Sequence, residues 1–146
     1  MRNSHLRFLI VDDFGTTRRI IGKLLREIGF TEADEAADGQ LALDMLLRAR
    51  YDFVIADVDM PRLDGFDLVA AMRGHPALQS IPALLVTREP SKEQVVRASQ
   101  VRANGYVVQP LTRSGLEDRV RSILGLPALT LPRRPGLPAL TPSARR

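Results

Sequence analysis

Apolar residues along this chain fall into two kinds of pattern. Short unbroken runs stop abruptly at polar residues: Leu6–Val11 before Asp12-Asp13, Phe53–Ala56 before Asp57, Pro82–Val86 before Thr87, and Gly105–Val108 before Gln109-Pro110. Runs of that length and continuity suit strands buried on both faces. Thr31–Ala36 is a fifth, weaker candidate. Between the runs the apolar spacing turns helical. Ile20, Ile21, Leu24, Leu25 and Ile28 share one face, with Thr16 or Thr17 available as a cap and Gly29 as a stop. Leu41, Ala42, Met45, Leu46 and Ala49 follow Asp38 on one side of a second helix, and Phe66–Met72 reads as a third behind the Pro61 and Gly65 punctuation. Ser91 opens a fourth over Ser91–Ala103, with Val95, Val96 and Ser99 at helical spacing, and Leu116, Val120, Ile123 and Leu124 mark the last.

Five strands alternating with five helices predict an α/β fold, a doubly wound five-stranded parallel sheet covered on both faces. Parallel strands need crossover connections, and helices supply them. In such sheets functional groups gather beyond the carboxyl ends of the strands.

Composition separates a body from a tail. Of 146 residues, 45% are hydrophobic and 26% charged, enough to bury a core in one domain. Net charge is +4, but Gly125–Arg146 carries Arg133, Arg134, Arg145 and Arg146 with no acid, and the remainder holds 17 basic against 17 acidic residues. The basic balance therefore belongs to the tail, which argues against a DNA-binding face. Residues 1–124 are expected to form the domain and 125–146 a flexible Pro/Arg-rich tail, in which GLPALT occurs at 125–130 and again at 136–141. With no cysteine there is no disulfide or thiolate metal site. No apolar run is long enough to span a membrane and the N-terminus lacks a signal-peptide core, so a cytoplasmic monomer is expected.

Candidate chemistry lies where the runs stop. Asp12, Asp13 and Asp57 all sit at expected strand ends on one sheet edge. Clustered carboxylates raise one another's pKa unless a cation intervenes, and a hard, oxygen-seeking ion such as Mg2+ suits the set. A carboxylate beside such an ion can attack phosphorus to give an acyl phosphate. Thr87 could donate its hydroxyl to the new phosphoryl oxygens. Taken singly, each aspartate is more readily a turn or helix cap. Their joint placement, with a strand-end threonine and a proline after the last strand, favours the chemical reading.

Val11–Phe30 (VDDFGTTRRIIGKLLREIGF), Asp57–Leu68 (DVDMPRLDGFDL), Val86–Glu89 (VTRE) and Gly105–Pro110 (GYVVQP) together resemble a response-regulator receiver domain over about residues 6–124, the chemotaxis CheY-like branch in particular. The resemblance implies the (βα)5 flavodoxin-like receiver fold. It also implies a single-domain response regulator of a two-component phosphorelay, not a turnover enzyme, that accepts a phosphoryl group on Asp57 from a histidine kinase. Asp12 and Asp13 match the acidic pair that holds Mg2+, with the backbone carbonyl of Asp59 a further ligand. Thr87 and Tyr106 match a coupled switch pair. Partners implied are the kinase, a phosphatase, and an output protein such as a flagellar motor switch component. Lys92, Arg97, Arg102, Arg113, Arg119 and Arg121 would offer such a partner a basic surface suited to an acidic amphipathic helix.

Two positions depart from the family's pattern. Gln109 stands where a lysine usually meets the phosphoryl group, and Asp59 stands where the chemotaxis branch usually carries an amide. The pocket thereby loses a positive charge and gains a negative one, which should favour Mg2+ and weaken phospho-switching. Gln109 leaves open a second reading, a degenerate pseudo-receiver serving as a docking module or phosphate sink. Asp57-Val-Asp59 also resembles the nucleophile and acid pair of haloacid-dehalogenase-type phosphatases, but the motif is not on the first strand and that family's downstream lysine is missing.

Overall fold

The computed structural model describes residues 5–127. Five strands, β1 (Arg7–Val11), β2 (Glu32–Ala36), β3 (Phe53–Asp57), β4 (Ala83–Thr87) and β5 (Gly105–Val108), alternate with α1 (Gly15–Ile28), α2 (Gly39–Arg48), α3 (Gly65–Arg73), α4 (Lys92–Gln100) and α5 (Arg113–Leu124). The strands form one parallel sheet in the order β2-β1-β3-β4-β5. The order reverses direction between β1 and β3, and a crevice opens at such a switch point beyond the carboxyl ends.

Side chains alternate across the strands and so build two cores. Phe8, Ile10, Phe53, Ile55, Leu84 and Val86 face α1 and α5 through Ile21, Leu25, Leu116 and Val120. Leu9, Val11, Val54, Ala56 and Leu85 face α2 and α3 through Ala42, Leu46, Leu68 and Met72. The Phe8 ring lies 5.0 Å from Phe30 and 5.1 Å from Phe53, which closes the first layer. Every residue of β3 and β4 is buried, and this explains their unbroken apolar runs. β2 is an edge strand whose residues are mostly exposed, so its composition carries little apolar signal.

Several local expectations need correction. Neither Thr16 nor Thr17 caps α1, because the helix begins upstream at Gly15 with Phe14 as a cap that makes no side-chain bond. Asp12 Oδ1 instead accepts the Phe14 N–H at 2.8 Å, so the helix starts directly from the acidic edge. Helix α4 ends three residues short of Ala103. Arg102 turns left-handed at φ 64° and the Ala103 N–H closes back on the Ala98 carbonyl at 2.9 Å, a Schellman stop. Val95 and Val96 point outward, and Ala98 is the residue α4 buries. Leu41 likewise lies exposed on α2, and Ala49 is exposed at the extended position just past its end, while Ala42 and Leu46 face the core. Gly29 and Ser91 end and cap their helices as expected: Gly29 adopts φ 114° and Ser91 accepts from the Gln94 N–H. Asp38, expected only to precede α2, is its cap and accepts from the Leu41 N–H.

Beyond α5, Gly125 closes the helix in the left-handed conformation and Leu126 packs against the α1–α5 core. The rest of the tail, from residue 128 on and including the end of the first GLPALT copy and all of the second, lies outside the described residues. Among the described residues no helix is long and apolar enough to cross a membrane.

Candidate functional site

Sheet register assembles the acidic edge. Val11 pairs with Ala56, so the next residues, Asp12 and Asp57, leave adjacent parallel strands side by side. Asp13 follows on the way into α1. One carboxylate oxygen from each of Asp12, Asp13 and Asp57 lies within 4.8 Å of the others. Asp12 is 1% and Asp57 4% exposed, while Asp13 opens to solvent.

Burial makes this proximity costly. Desolvation pushes the Asp12 carboxyl above its ordinary 3.8, and the Asp13 charge adds to the rise against the Phe14 N–H bond and the cations Arg88 and Arg18. Asp57 is pushed up to about 7, first by burial and next by Asp12; Asp59 raises it a little further, while a hydrogen bond from the Asp59 backbone N–H and the charge of Arg88 oppose the shift. Asp12 uses one oxygen for Phe14, but its Oδ2 is buried without a partner among the described residues. Three crowded carboxylates with an unsatisfied buried oxygen form a donor set that fits a hard divalent cation.

The remaining strand ends bring further polar groups to the same sheet edge. Asp57 pairs with Val86, which sets Thr87 one step beyond it at 0% exposure, with its Oγ1 accepting from the Glu89 N–H at 3.2 Å. That bond leaves the threonine hydroxyl hydrogen free to donate. The Gln109 N–H bonds the Thr87 carbonyl at 2.7 Å, and Gln109 Nε2 is a buried donor with no acceptor among the described residues. Tyr106 is half-buried on β5 and donates its hydroxyl to Gln94 Oε1 of α4 at 2.6 Å. Under the acidic edge, Gly65 opens α3 so close to β3 that a Cβ there would stand 2.4 Å from the Asp57 carbonyl oxygen.

A cleft of about 320 Å³ opens over Asp57 and is lined by Phe14, Asp57, Asp59, Arg88 and Glu89. Asp57 and Asp59 are expected site residues, whereas Phe14, Arg88 and Glu89 are not predicted from the sequence. Their one available signal is adjacency, since Phe14 follows the acidic pair and Arg88-Glu89 follow Thr87. The expected basic output surface is smaller than its sequence suggests. Arg97 is taken up by Asp64 at 3.4 Å and Asp67 at 2.9 Å, with its guanidinium 4.8 Å above the Phe66 ring. Arg121 pairs with Glu117 at 2.9 Å, both side chains 12% exposed. Lys92, Arg102, Arg113 and Arg119 remain exposed.

Comparison with known proteins gives a consistent result. The family described as the response regulator receiver domain matches residues 8–121. The chemotaxis protein CheY of Pseudomonas aeruginosa is 45% identical over 118 residues, covering 81% of this chain and 95% of that protein. Among solved structures, the chemotaxis protein CheY4 of Vibrio cholerae superposes with a TM-score of 0.76 at 33% identity, covering 81% of this chain and 98% of that one. The receiver domain of a sensor histidine kinase from Pseudomonas aeruginosa, solved with a magnesium ion coordinated in its active site cleft, superposes with a TM-score of 0.75 at 25% identity, covering 82% of this chain and 98% of that one.

Proposed function

This chain belongs to the response regulator receiver family, and from that membership we propose that it accepts a phosphoryl group on Asp57 from a histidine kinase, in the cytoplasm, and signals by protein contact in chemotaxis. Members of this family are phosphoacceptor signalling proteins rather than classical enzymes, which disfavours the haloacid-dehalogenase reading. The observation that carries the proposal is the convergence of Asp12, Asp13 and Asp57 within 4.8 Å, with a buried Asp12 oxygen left unpartnered beside the candidate acceptor.

In the proposed reaction an Asp57 carboxylate oxygen attacks the phosphorus of a phosphohistidine. The P–O bond forms as the P–N bond breaks, and the electron pair returns to the imidazole nitrogen. Asp12 and Asp13, with the Asp59 backbone carbonyl, are the residues that would hold Mg2+. When bound, that ion would offset charge on the transferring group and keep Asp57 ionised near neutral pH. The Asp59 N–H fixes the Asp57 carboxylate. Thr87 would donate its hydroxyl, and Gln109 its unpaired Nε2, to phosphoryl oxygens.

Output would run through β5 and α4. If Thr87 moves toward a phosphoryl oxygen, the bond from Tyr106 to Gln94 is the one that ties β5 to α4 and would have to respond. Val95, Val96 and Val108 are 53%, 55% and 45% exposed, and Lys92 and Arg113 are exposed and make no ion pair among the described residues, features suited to an acidic amphipathic helix such as a flagellar motor switch segment would offer. Gln109 supports a second reading, in which the domain docks without phosphate dependence. Incubation with a phosphorylated histidine-kinase domain separates them. Phosphoryl transfer that requires Mg2+ and is lost in Asp57→Asn supports the acceptor role, and a chain that stays unmodified leaves the docking module.

A further inference from the structure

Gln109 leaves the pocket without the cation that its chemistry calls for. A phosphoryl group on Asp57 would sit among Asp12, Asp13 and Asp59, and a neutral amide supplies one hydrogen bond and no charge. Two arginines act electrostatically on the acidic edge. Arg18 is committed elsewhere, with its Nε on Glu35 Oε1 at 2.8 Å and its Nη1 on the Asp12 backbone carbonyl at 2.6 Å.

Arg88 is placed differently. It follows Thr87 at the carboxyl end of β4, lines the same cleft as Asp57 and Asp59, and is exposed. Among the described residues it forms no ion pair. Its guanidinium lies 4.7 Å above the ring of Phe14, which is itself 51% exposed and follows the Asp12-Asp13 pair. Arg88 thus spans the mouth of the cleft from the β4 side to the α1 side. A stacking contact at an exposed site is weak enough to be exchanged for a charged acceptor.

We propose that Arg88 is the cation that contacts the phosphoryl group on Asp57, supplying from the β4–α4 loop the charge that Gln109 lacks at the end of β5. This deepens the acceptor reading and rests on it. A guanidinium suits the task because its planar fork of donors matches two phosphoryl oxygens at once and stays charged throughout. Arg88 neither gains nor loses a proton in the transfer. The bond made is Asp57 oxygen to phosphorus, the bond broken is phosphorus to the donor, and the electron pair leaves with the donor.

The signs of two binding steps distinguish this role from a structural one. Mg2+ and a phosphoryl group carry opposite charges, so a cation at the mouth disfavours the first and favours the second. The test is calorimetric titration of wild type, Arg88→Ala, Arg88→Lys and Arg88→Ala with Gln109→Lys, first with Mg2+ alone and then with beryllium fluoride at saturating Mg2+ as a phosphoryl mimic. We expect Arg88→Ala to weaken beryllium fluoride binding about 10-fold or more, the loss of one charge-assisted hydrogen bond, while Mg2+ binding tightens or holds. Arg88→Lys and the double variant should recover most of the loss. Equal beryllium fluoride affinity in wild type and Arg88→Ala overturns the role of Arg88 alone, as does a parallel weakening of both ligands. A wild type that binds Mg2+ but neither beryllium fluoride nor a phosphoryl group overturns the acceptor reading and this inference with it.

Discussion

Replacing Asp57 by Asn should make the metal-free protein more stable, and increasingly so as pH rises. Asp57 is 4% exposed and its carboxyl is pushed up from 3.8 to about 7. Between those values the folded chain holds a proton that the unfolded chain has released. Stability therefore declines as pH climbs from about 4 to about 7 and then levels off. At about 1.36 kcal/mol for each tenfold change in proton affinity, the full cost of ionising Asp57 in the fold is about 4 kcal/mol. Asp12 shares that cost, because its charge is the second cause of the Asp57 shift. We expect Asp57→Asn to exceed wild type by about 2–4 kcal/mol at pH 8 in EDTA, and by little at pH 4. Asn keeps an oxygen for the Asp59 N–H, so the comparison isolates the charge. Urea unfolding at a series of pH values reads the difference directly, and saturating Mg2+ should shrink it by stabilising wild type more than the variant. An Asn variant that is no more stable than wild type at pH 8, or a gap that does not change with pH, would refute the reasoning.

Three further outcomes follow from particular contacts. Gly65→Ala should cost about 1–3 kcal/mol by denaturant unfolding and weaken Mg2+ binding, because its Cβ would drive into the Asp57 carbonyl oxygen and stand 3.0 Å from Val58 Cα. Asp38→Ala should lower stability by about 1 kcal/mol without changing Mg2+ affinity, since it removes the 2.7 Å bond to the Leu41 N–H at the start of α2 and touches nothing in the cleft. Gln109→Lys should strengthen phosphorylation-dependent partner binding, by about 10-fold or more in the Arg88→Ala background and by less where Arg88 is present; unchanged binding in both, in a pull-down with phosphorylated protein, would show that the neutral amide costs nothing.

What could be read from the residue order alone tracks burial. β3 and β4 were legible because every side chain in them is buried, so their runs are unbroken and their polar stops mark the sheet edge. β2 was faint because an edge strand carrying Glu32, Asp34 and Glu35 has no apolar requirement on its open side. Helical spacing located α2 and α4 but not their buried faces, since Leu41, Val95 and Val96 keep the period while facing solvent. The acidic trio was legible because strand ends in a parallel sheet share one edge. Arg88 was not: a single arginine in a loop carries no pattern, and only the register of β3 on β4 and the stack on Phe14 bring it to the cleft mouth. Arg97 was misjudged for the converse reason, because its acidic partners Asp64 and Asp67 lie about thirty residues away on α3 and its N-cap.

Peptide mapping by mass spectrometry, after incubation with acetyl phosphate, bears most directly on whether the clustered acids make Asp57 a metal-assisted nucleophile. With Mg2+ present, one phosphoryl group should appear on the peptide containing Asp57. It should vanish in EDTA and in Asp57→Asn, and fall sharply in Asp12→Asn. Modification that persists without divalent metal, or that lands on another residue while Asp57 stays bare, would contradict this.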